Sequence, residues 1–207
     1  GYAFVKRLQI PWRAAKKTNR VTVLSVLLFC GVNGTNAFVS HTRVPTGPHV
    51  IFICIDALRP DHLGSYGYHR DTSPFLDHLA NEGVRFEYAY SQESYTMASV
   101  PSFFTSLYPV THQVLYDEPK IDTLNPHHLT LAEILKNAGY TTAAFVYNPH
   151  LRARFGFGQG FDLYADHRGG VDPHLSAHEA YETARKLLGE TLQFVRAHRG
   201  KKLFVYL

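Results

Sequence analysis

The sequence predicts an α/β fold in which a mainly parallel central sheet is flanked by helices. Residues 49–56 form a continuous apolar run that ends in Asp56, a pattern typical of a central parallel strand buried on both faces. Helical patterns alternate with further β-branched and apolar runs along the rest of the chain, as in layered α/β domains. The length of 207 residues is enough for one sizeable core of this kind.

The first helix is predicted by its termini. Ser73 is a suitable N-cap, Pro74 suits the first helical position, and Gly83 is expected to close the helix. Residues 84–89 then alternate between apolar and polar side chains, which predicts a strand.

The second half of the chain contains four further elements, predicted from caps, apolar stripes and β-branched runs. They are a helix from the capping box Thr130–Glu133 to Gly139, a strand over 141–146, a long helix over 176–198 and a final strand over 201–207. We expect the final strand to present an uncovered edge. Because the chain begins with Gly1 and stops in this strand, we expect a fragment of a longer protein that is cut at both ends, with its catalytic domain truncated at the carboxyl terminus.

Charge and hydropathy set the amino-terminal residues apart. No acidic residue precedes Asp56, whereas Lys and Arg are frequent there, a bias typical of targeting segments. The chain divides into a basic segment (1–20), a signal peptide or membrane anchor (21–39), a linker (40–48) and the main domain (49–207). The apolar core of the second segment is shorter than the roughly 20 residues of a spanning helix and suits a signal peptide, with an uncleaved anchor as the alternative.

This leader determines the expected location and partners. We expect an exported protein, periplasmic or extracellular, or one anchored in a membrane through residues 21–39 with its domain outside the cytoplasm. No basic stripe interleaved with aromatic residues follows the leader, so we expect no nucleic-acid partner. Cys54, inside the first predicted strand, is interpreted as a small core residue.

Two polar side chains are expected at the edge of the sheet where ligands of α/β folds bind. Asp56 follows the first strand, and Thr96 opens a turn followed by a helix. Ligands collect at the carboxyl ends of parallel strands, and a helix N-terminus favours a bound anion. A carboxylate facing this hydroxyl could hold a divalent metal, which would lower the pKa of the hydroxyl for attack on phosphorus or sulfur. The alternative is that Thr96 only caps its helix and Asp56 only ends its strand.

Five segments in a fixed order resemble the sulfatase family of the alkaline-phosphatase superfamily. The segments are IFICIDALRPDHLGSYGY (51–68), TSPFLDHLANEGVRFEYAYSQ (72–92), TMASVPSFFTSLYPVTHQV (96–114), LTLAEILKNAGYTTAAF (129–145) and FGFGQGFDLY (155–164). The resemblance implies that residues 49–207 are the N-terminal part of a sulfatase-like catalytic domain. It also implies a hydrolase of sulfuric, phosphate or phosphonate esters.

The resemblance implies roles for particular residues. Asp56 matches a metal-binding aspartate, although Ala57 stands where a second aspartate is usual. Thr96 matches the nucleophile, which is also a metal ligand. In typical sulfatases that residue is a cysteine or serine converted to formylglycine; here it is threonine, and Val100 replaces a helper arginine. Threonine at this position resembles phosphoethanolamine transferases and some phosphate-ester or phosphonate hydrolases, and Ser99 is the alternative nucleophile.

Histidine and loop residues near these motifs have weaker assignments. His112 matches a position where it would act in catalysis by positioning other groups, with a structural histidine as the alternative. His150 could line the site, because Tyr147 to His150 stands where the family has a lysine and a histidine. Asp61 and His62 are expected to secure the loop after the first strand, and Arg59 is expected to pair with a carboxylate or to pack nearby.

The resemblance also implies a cofactor and a substrate class. Calcium is the ion most expected for the family, with magnesium, manganese or zinc as alternatives, and the remaining ligands are expected beyond residue 207. The substrate would be a sulfated or phosphorylated small molecule, glycan or lipid. Two further hypotheses remain: a membrane-bound phosphoethanolamine-type transferase, and a non-catalytic sulfatase-like binding protein.

Overall fold

The computed structural model describes residues 47–117, 120–167 and 176–207. The basic segment and the predicted signal peptide or anchor lie outside the described residues, as does most of the linker. Within the described ranges, no helix is both long and apolar enough to cross a bilayer.

Five helices and six strands make up the described fold. The helices are α1 (Pro74–Glu82), α2 (Thr96–Thr105), α3 (Pro109–His112), α4 (Leu131–Asn137) and α5 (Ala177–Ala197). The strands are β1 (Val50–Phe52), β2 (Tyr116–Asp117), β3 (Lys120–Ile121), β4 (Thr141–Val146), β5 (Leu163–Asp166) and β6 (Leu203–Tyr206). Short 3₁₀ turns lie at Pro60–His62, Gly64–Tyr66, Pro149–Leu151 and Ala153–Phe155.

The main sheet has four strands in the order β1-β6-β4-β5. All three pairings are parallel, with Val50 opposite Phe204, Thr141 opposite Leu203, and Ala143 opposite Leu163. Strands β2 and β3 form a separate antiparallel pair. The predicted parallel sheet flanked by helices is therefore confirmed.

Both faces of the sheet are covered at β4 and β6, because alternate residues of these strands enter different clusters. On one face, β4 and β6 contribute Ala144, Val146, Phe204 and Tyr206 to the larger cluster, which includes α2. On the other face, the cluster consists of residues from β4, β6 and α5, listed as Ala143, Phe145, Phe194, Leu203 and Val205. This second cluster contains no residue of β1, so α5 leaves that strand uncovered.

Strand β1 differs from its sequence prediction. It pairs with β6 alone among the described strands and therefore lies at the edge of the sheet. Val50 and Phe52 pack against the larger cluster, whereas Ile51, Ile53 and Ile55 are exposed. The prediction of a central strand buried on both faces is wrong for the described residues, because an apolar run does not specify which neighbours cover it.

The final strand also differs from its sequence prediction, because it lies inside the sheet and not at an edge. Strand β6 lies between β1 and β4, and all four of its residues are buried. The expected uncovered edge is therefore wrong for β6. Parallel strands that arrive last in the sequence can insert between earlier ones, because sheet order is independent of chain order.

Residues 84–89 form no strand. They run as irregular chain, and Val84, Phe86 and Tyr88 are largely exposed. An alternating segment forms a strand only where a partner strand shares its hydrogen bonds, and none of the described strands pairs with this segment.

Helix termini follow the sequence more closely. Thr130 and Glu133 form the predicted capping box, with Glu133 N donating to Thr130 Oγ1 (3.2 Å) and Thr130 N donating to Glu133 Oε2 (2.8 Å). Ser73 occupies the N-cap of α1 without capping it through its side chain. Its hydroxyl instead accepts from Gly64 N and donates to Asp77, which ties α1 to the loop that follows β1.

Candidate active site

A cavity of about 690 Å³ lies at the carboxyl ends of β1, β4 and β6. Its wall includes Cys54 and Asp56 after β1, Thr96 and Ser99 of α2, and Asn148 after β4. The structure thus brings Asp56 and Thr96 to one cavity at the edge of the sheet where ligands of α/β folds bind.

Asp56 is held by a side chain that the sequence analysis did not single out. Asn148 Nδ2 donates to Asp56 Oδ2 at 3.1 Å. The Asn148 Oδ1 atom accepts from the backbone N–H of His150 at 2.9 Å. The next residue after Asp56, Ala57, has a left-handed backbone with φ of 55°. The available sequence signal for Asn148 was a polar residue just after a buried parallel strand.

Thr96 is the first residue of α2, and its side chain is partly exposed in the cavity. Tyr95 occupies the N-cap without a side-chain cap, so Thr96 lies where the free N–H groups of the first turn create a positive potential. Ser99 Oγ donates to the carbonyl oxygen of Thr96 at 3.4 Å, a backbone contact within the first turn of the helix. Val100 is buried and also borders the cavity.

His112 lies apart from this cavity, at the end of α3. It is only 2% exposed. Its Nδ1 atom accepts from Val114 N at 3.0 Å, so Nε2 carries the proton and faces Ala98 O at 3.1 Å and Ser102 Oγ at 3.0 Å. Burial lowers the pKa of His112 and keeps the ring neutral. This geometry favours the structural alternative over the predicted catalytic role.

The loop after β1 is secured by its own charged residues. Arg59 Nη2 and Asp61 Oδ2 are 2.6 Å apart, and His62 Nδ1 lies 3.1 Å from Asp61 Oδ1. The hydrogen bond from Arg59 holds the pKa of Asp61 well below its usual range. These three residues do not border the cavity, in agreement with their expected loop role.

His150 packs beside the site. Its ring centroid lies 5.6 Å from that of Tyr95, at the start of α2. The described cavity wall includes its neighbours Tyr147 and Asn148 but not His150 itself. His150 therefore links the turn after β4 to α2.

Cys54 is exposed and borders the cavity, so its interpretation as a core residue is wrong. The phenol of Tyr206 lies beside it, and burial followed by the proximity of Cys54 raises the pKa of Tyr206 far above its usual value. Tyr206 is therefore a neutral hydrogen-bonding group at the cavity wall.

The polar atoms of the cavity wall suit a hard cation. Carboxylates come from Asp56 and Glu93, and hydroxyls come from Ser91, Ser94 and Thr96. Oxygen donors of this kind favour calcium, magnesium or manganese. Within the described ranges, no three His, Cys, Asp or Glu side chains gather closely enough to hold an ion by themselves. The residues thus fit part of a metal site and would need further ligands.

Comparison with known proteins identifies the family. A model of the sulfatase family matches residues 48–207. The N-acetylgalactosamine-6-O-sulfatase of Bacteroides thetaiotaomicron is 32% identical over 97 residues, covering 46% of this chain and 19% of that protein. The steryl-sulfatase of Rattus norvegicus is 32% identical over 113 residues, covering 51% of this chain and 20% of that protein. This chain thus spans about a fifth of the length of these curated relatives.

Solved structures share the fold. The phosphonate monoester hydrolase of Agrobacterium radiobacter superposes with a TM-score of 0.58 at 19% identity, covering 78% of this chain and 40% of that one. A protein solved with its substrate D-glucosamine-2-N,6-O-disulfate gives a TM-score of 0.58 at 22% identity, covering 77% of this chain and 33% of that one. At these identities the likeness establishes the architecture alone.

Proposed function

We propose, from the premise that this chain belongs to the sulfatase family, that it forms part of a metal-dependent sulfuric ester hydrolase with Thr96 as nucleophile. The observation that carries the proposal is the shared cavity of Asp56 and Thr96, whose wall also includes the hydroxyl residues Ser91 and Ser94. A divalent cation bound by Asp56 would stabilise developing negative charge and lower the pKa of the threonine hydroxyl. Calcium is the ion we expect, with magnesium, manganese or zinc as alternatives.

The proposed reaction proceeds by covalent catalysis. Thr96 Oγ1 forms a bond to sulfur as the bond between sulfur and the leaving oxygen breaks. The hydroxyl proton passes to a base, and the leaving oxygen takes up a proton. Water then hydrolyses the threonine sulfate ester and restores the hydroxyl. His112 does not serve as the proton donor in this proposal, because both of its ring nitrogens are engaged away from the cavity.

The proposed substrate is a sulfated glycan or small molecule. Relatives named for N-acetylgalactosamine-6-O-sulfate and steryl sulfate support this class. A phosphate or phosphonate ester is the second candidate, because Thr96 keeps its hydroxyl where typical sulfatases carry an aldehyde derived from cysteine or serine. The transferase and the non-catalytic binding protein remain as alternatives. We also propose export through residues 21–39, and amino-terminal sequencing of the secreted or membrane-bound protein would test it.

Substitution of Thr96 tests the proposed mechanism. The intact protein would be stripped of metal, resupplied with calcium, magnesium, manganese or zinc, and assayed on aryl sulfate and on aryl phosphate mono- and diesters. We expect Thr96→Ala to lower kcat by at least about 10³-fold, because removal of a nucleophile leaves only binding and electrostatic stabilisation. Thr96→Ser, which retains a hydroxyl, should keep measurable turnover.

Four outcomes discriminate between the alternatives. Full activity in Thr96→Ala would contradict the assignment, and loss of activity in Ser99→Ala but not in Thr96→Ala would identify Ser99 as the nucleophile. Preference for phosphate diesters would favour the phosphodiesterase or transferase hypothesis. Absence of cleavage of every ester with every metal would favour the binding protein.

A further inference from the structure

Asn148 connects the two strands that form the cavity. It follows β4 by two residues and begins the turn Pro149–Leu151, whereas Asp56 follows β1. These strands are not neighbours, because β6 lies between them. The bond from Asn148 Nδ2 to Asp56 Oδ2 therefore bridges the carboxyl edge of the sheet across one intervening strand.

The orientation of the Asn148 amide follows from its two partners. The backbone N–H of His150 can only donate, so the atom 2.9 Å from it must be the amide oxygen. The NH₂ group then faces the carboxylate of Asp56, which can only accept when ionised. If the amide were flipped, its NH₂ group would face the N–H of His150 and its oxygen would face the carboxylate of Asp56, so neither hydrogen bond could form.

The turn that carries Asn148 is itself fixed by several contacts. Leu151 is buried, and its carbonyl oxygen accepts from Tyr164 Oη at 2.6 Å. Ala153 N donates to Asp166 Oδ2 at 2.9 Å. The His150 ring packs against Tyr95 beside Thr96. A side chain on this turn therefore has a defined position relative to both Asp56 and the start of α2.

We propose that Asn148 is a positioning residue, whose amide orients the Asp56 carboxylate so that its second oxygen faces a metal in the cavity. This inference rests on the proposed metal-dependent function. A neutral donor suits the task, because it fixes the carboxylate without neutralising the charge that attracts the cation. Loss of such an outer hydrogen bond typically weakens metal affinity by about 10- to 100-fold.

Asn148→Ser separates this role from the capping of the turn. Serine is also a good capping acceptor for the N–H two residues on, so the turn should persist. Its side chain is too short to reach Asp56. Asn148→Ala removes both hydrogen bonds and should also lower the melting temperature, whereas Asn148→Ser should leave the melting temperature of the metal-free protein nearly unchanged.

Metal affinity can be measured without turnover. Calorimetric titration of the metal-free intact protein with calcium, magnesium or manganese gives Kd directly. Cys54 provides a local probe in a Cys30→Ser background, because it borders the same cavity two positions before Asp56 and is open to alkylation. We expect the ion to slow alkylation of Cys54, with a midpoint about 10- to 100-fold higher in Asn148→Ser.

The controls distinguish failure of this inference from failure of the proposed function. Asp56→Asn should abolish calorimetric binding and protection of Cys54 together. If Asp56→Asn does so while Asn148→Ser retains the wild-type Kd, Asn148 only caps its turn and the inference is overturned. If the wild type binds none of these three ions and no zinc, the metal assignment is wrong, and the proposed role of Asn148 is wrong with it.

Discussion

At the scale of single residues, His112 joins α2 to α3 by hydrogen bonds from both sides of its ring. Val114 N–H donates to Nδ1, while Nε2 faces Ala98 O and Ser102 Oγ. The neutral imidazole has hydrogen-bond partners at both nitrogens, whereas protonation would place a charge in the core. The ring therefore stabilises the fold only while it stays neutral.

This arrangement predicts a dependence of stability on pH. The pKa of His112 is lowered in the folded state from its usual value of about 6.5. The unfolded chain therefore binds a proton at this residue more readily, and the free energy of unfolding should fall as pH decreases below about 6.5. Urea unfolding at several pH values between about 7.5 and 5 measures the effect.

The matched control for this prediction is His112→Gln, which removes the ionisable ring. The free energy of unfolding of the wild type should exceed that of the variant by the largest amount at the higher pH, and this difference should shrink as the pH falls. A difference that stays constant across this range would show that His112 contributes through packing alone. Comparison of the two proteins cancels the titration of the other histidines.

At the scale of elements, the start of α4 is packed against the glycine-rich loop that follows Phe155. Gln159 Nε2 donates to Glu133 Oε2 at 2.8 Å and to His128 O at 2.7 Å. Gly160 has φ of 85° and lies against the backbone of Ala132 and Glu133. A Cβ on Gly160 would meet the Glu133 backbone nitrogen, and it would lie 2.9 Å from the Ala132 carbonyl carbon.

Gly160→Ala should therefore be strongly destabilising, and Gly200→Ala is its matched control. Gly200 has φ of 88° and nothing within 4 Å of an added Cβ. Both substitutions incur the left-handed backbone penalty of about 1–2 kcal/mol. Only Gly160→Ala adds a clash with backbone, which should cost roughly 1–3 kcal/mol more. Equal losses of unfolding free energy in the two variants would contradict the close packing of α4 on this loop.

The sequence predicted those elements whose signals are local. The capping box of α4, the span of α5 and the run of β4 depend on residues close in the chain, and the structure reproduces them. The edge position of β1, the interior position of β6 and the exposure of Cys54 depend on which strands become neighbours. The contact of Asn148 with Asp56 joins residues 92 positions apart, which no local pattern indicates.

The candidate site could also be predicted from the sequence only in part. The sequence predicted that the site lies at the carboxyl edge of the sheet and that Asp56 and Thr96 lie there. Both residues border the cavity. The nucleophilic and metal-binding roles of these residues stay predictions. The role of His112 also stays a prediction, and its buried ring, which does not border the cavity, favours the structural alternative.

At the scale of the whole molecule, two segments of the described chain expose many apolar side chains. The first strand region exposes Ile51, Ile53 and Ile55, and the irregular segment exposes Val84, Phe86, Tyr88 and Tyr90. Exposed apolar groups of this number mark surfaces that bind other protein or promote aggregation.

A pair of phenylalanine substitutions in the 207-residue chain tests this exposure. Phe86 is 67% exposed, whereas Phe104 is 4% exposed. Phe86→Ser should change the free energy of unfolding by no more than about 0.5 kcal/mol and should reduce binding of a hydrophobic dye. Phe104→Ala should cost about 3–5 kcal/mol. A large destabilisation by Phe86→Ser would show that this segment is covered in solution.

The interior place of β6 also determines when the sheet can assemble during synthesis. Leu203 N–H donates to His49 Nδ1 across 154 positions, and β1 has no partner other than β6 among the described strands. Among the described strands, β1 of a nascent chain therefore lacks a partner until β6 has left the ribosome. Contacts so distant in sequence slow folding, and the unpaired apolar strand would meanwhile be a target for chaperones.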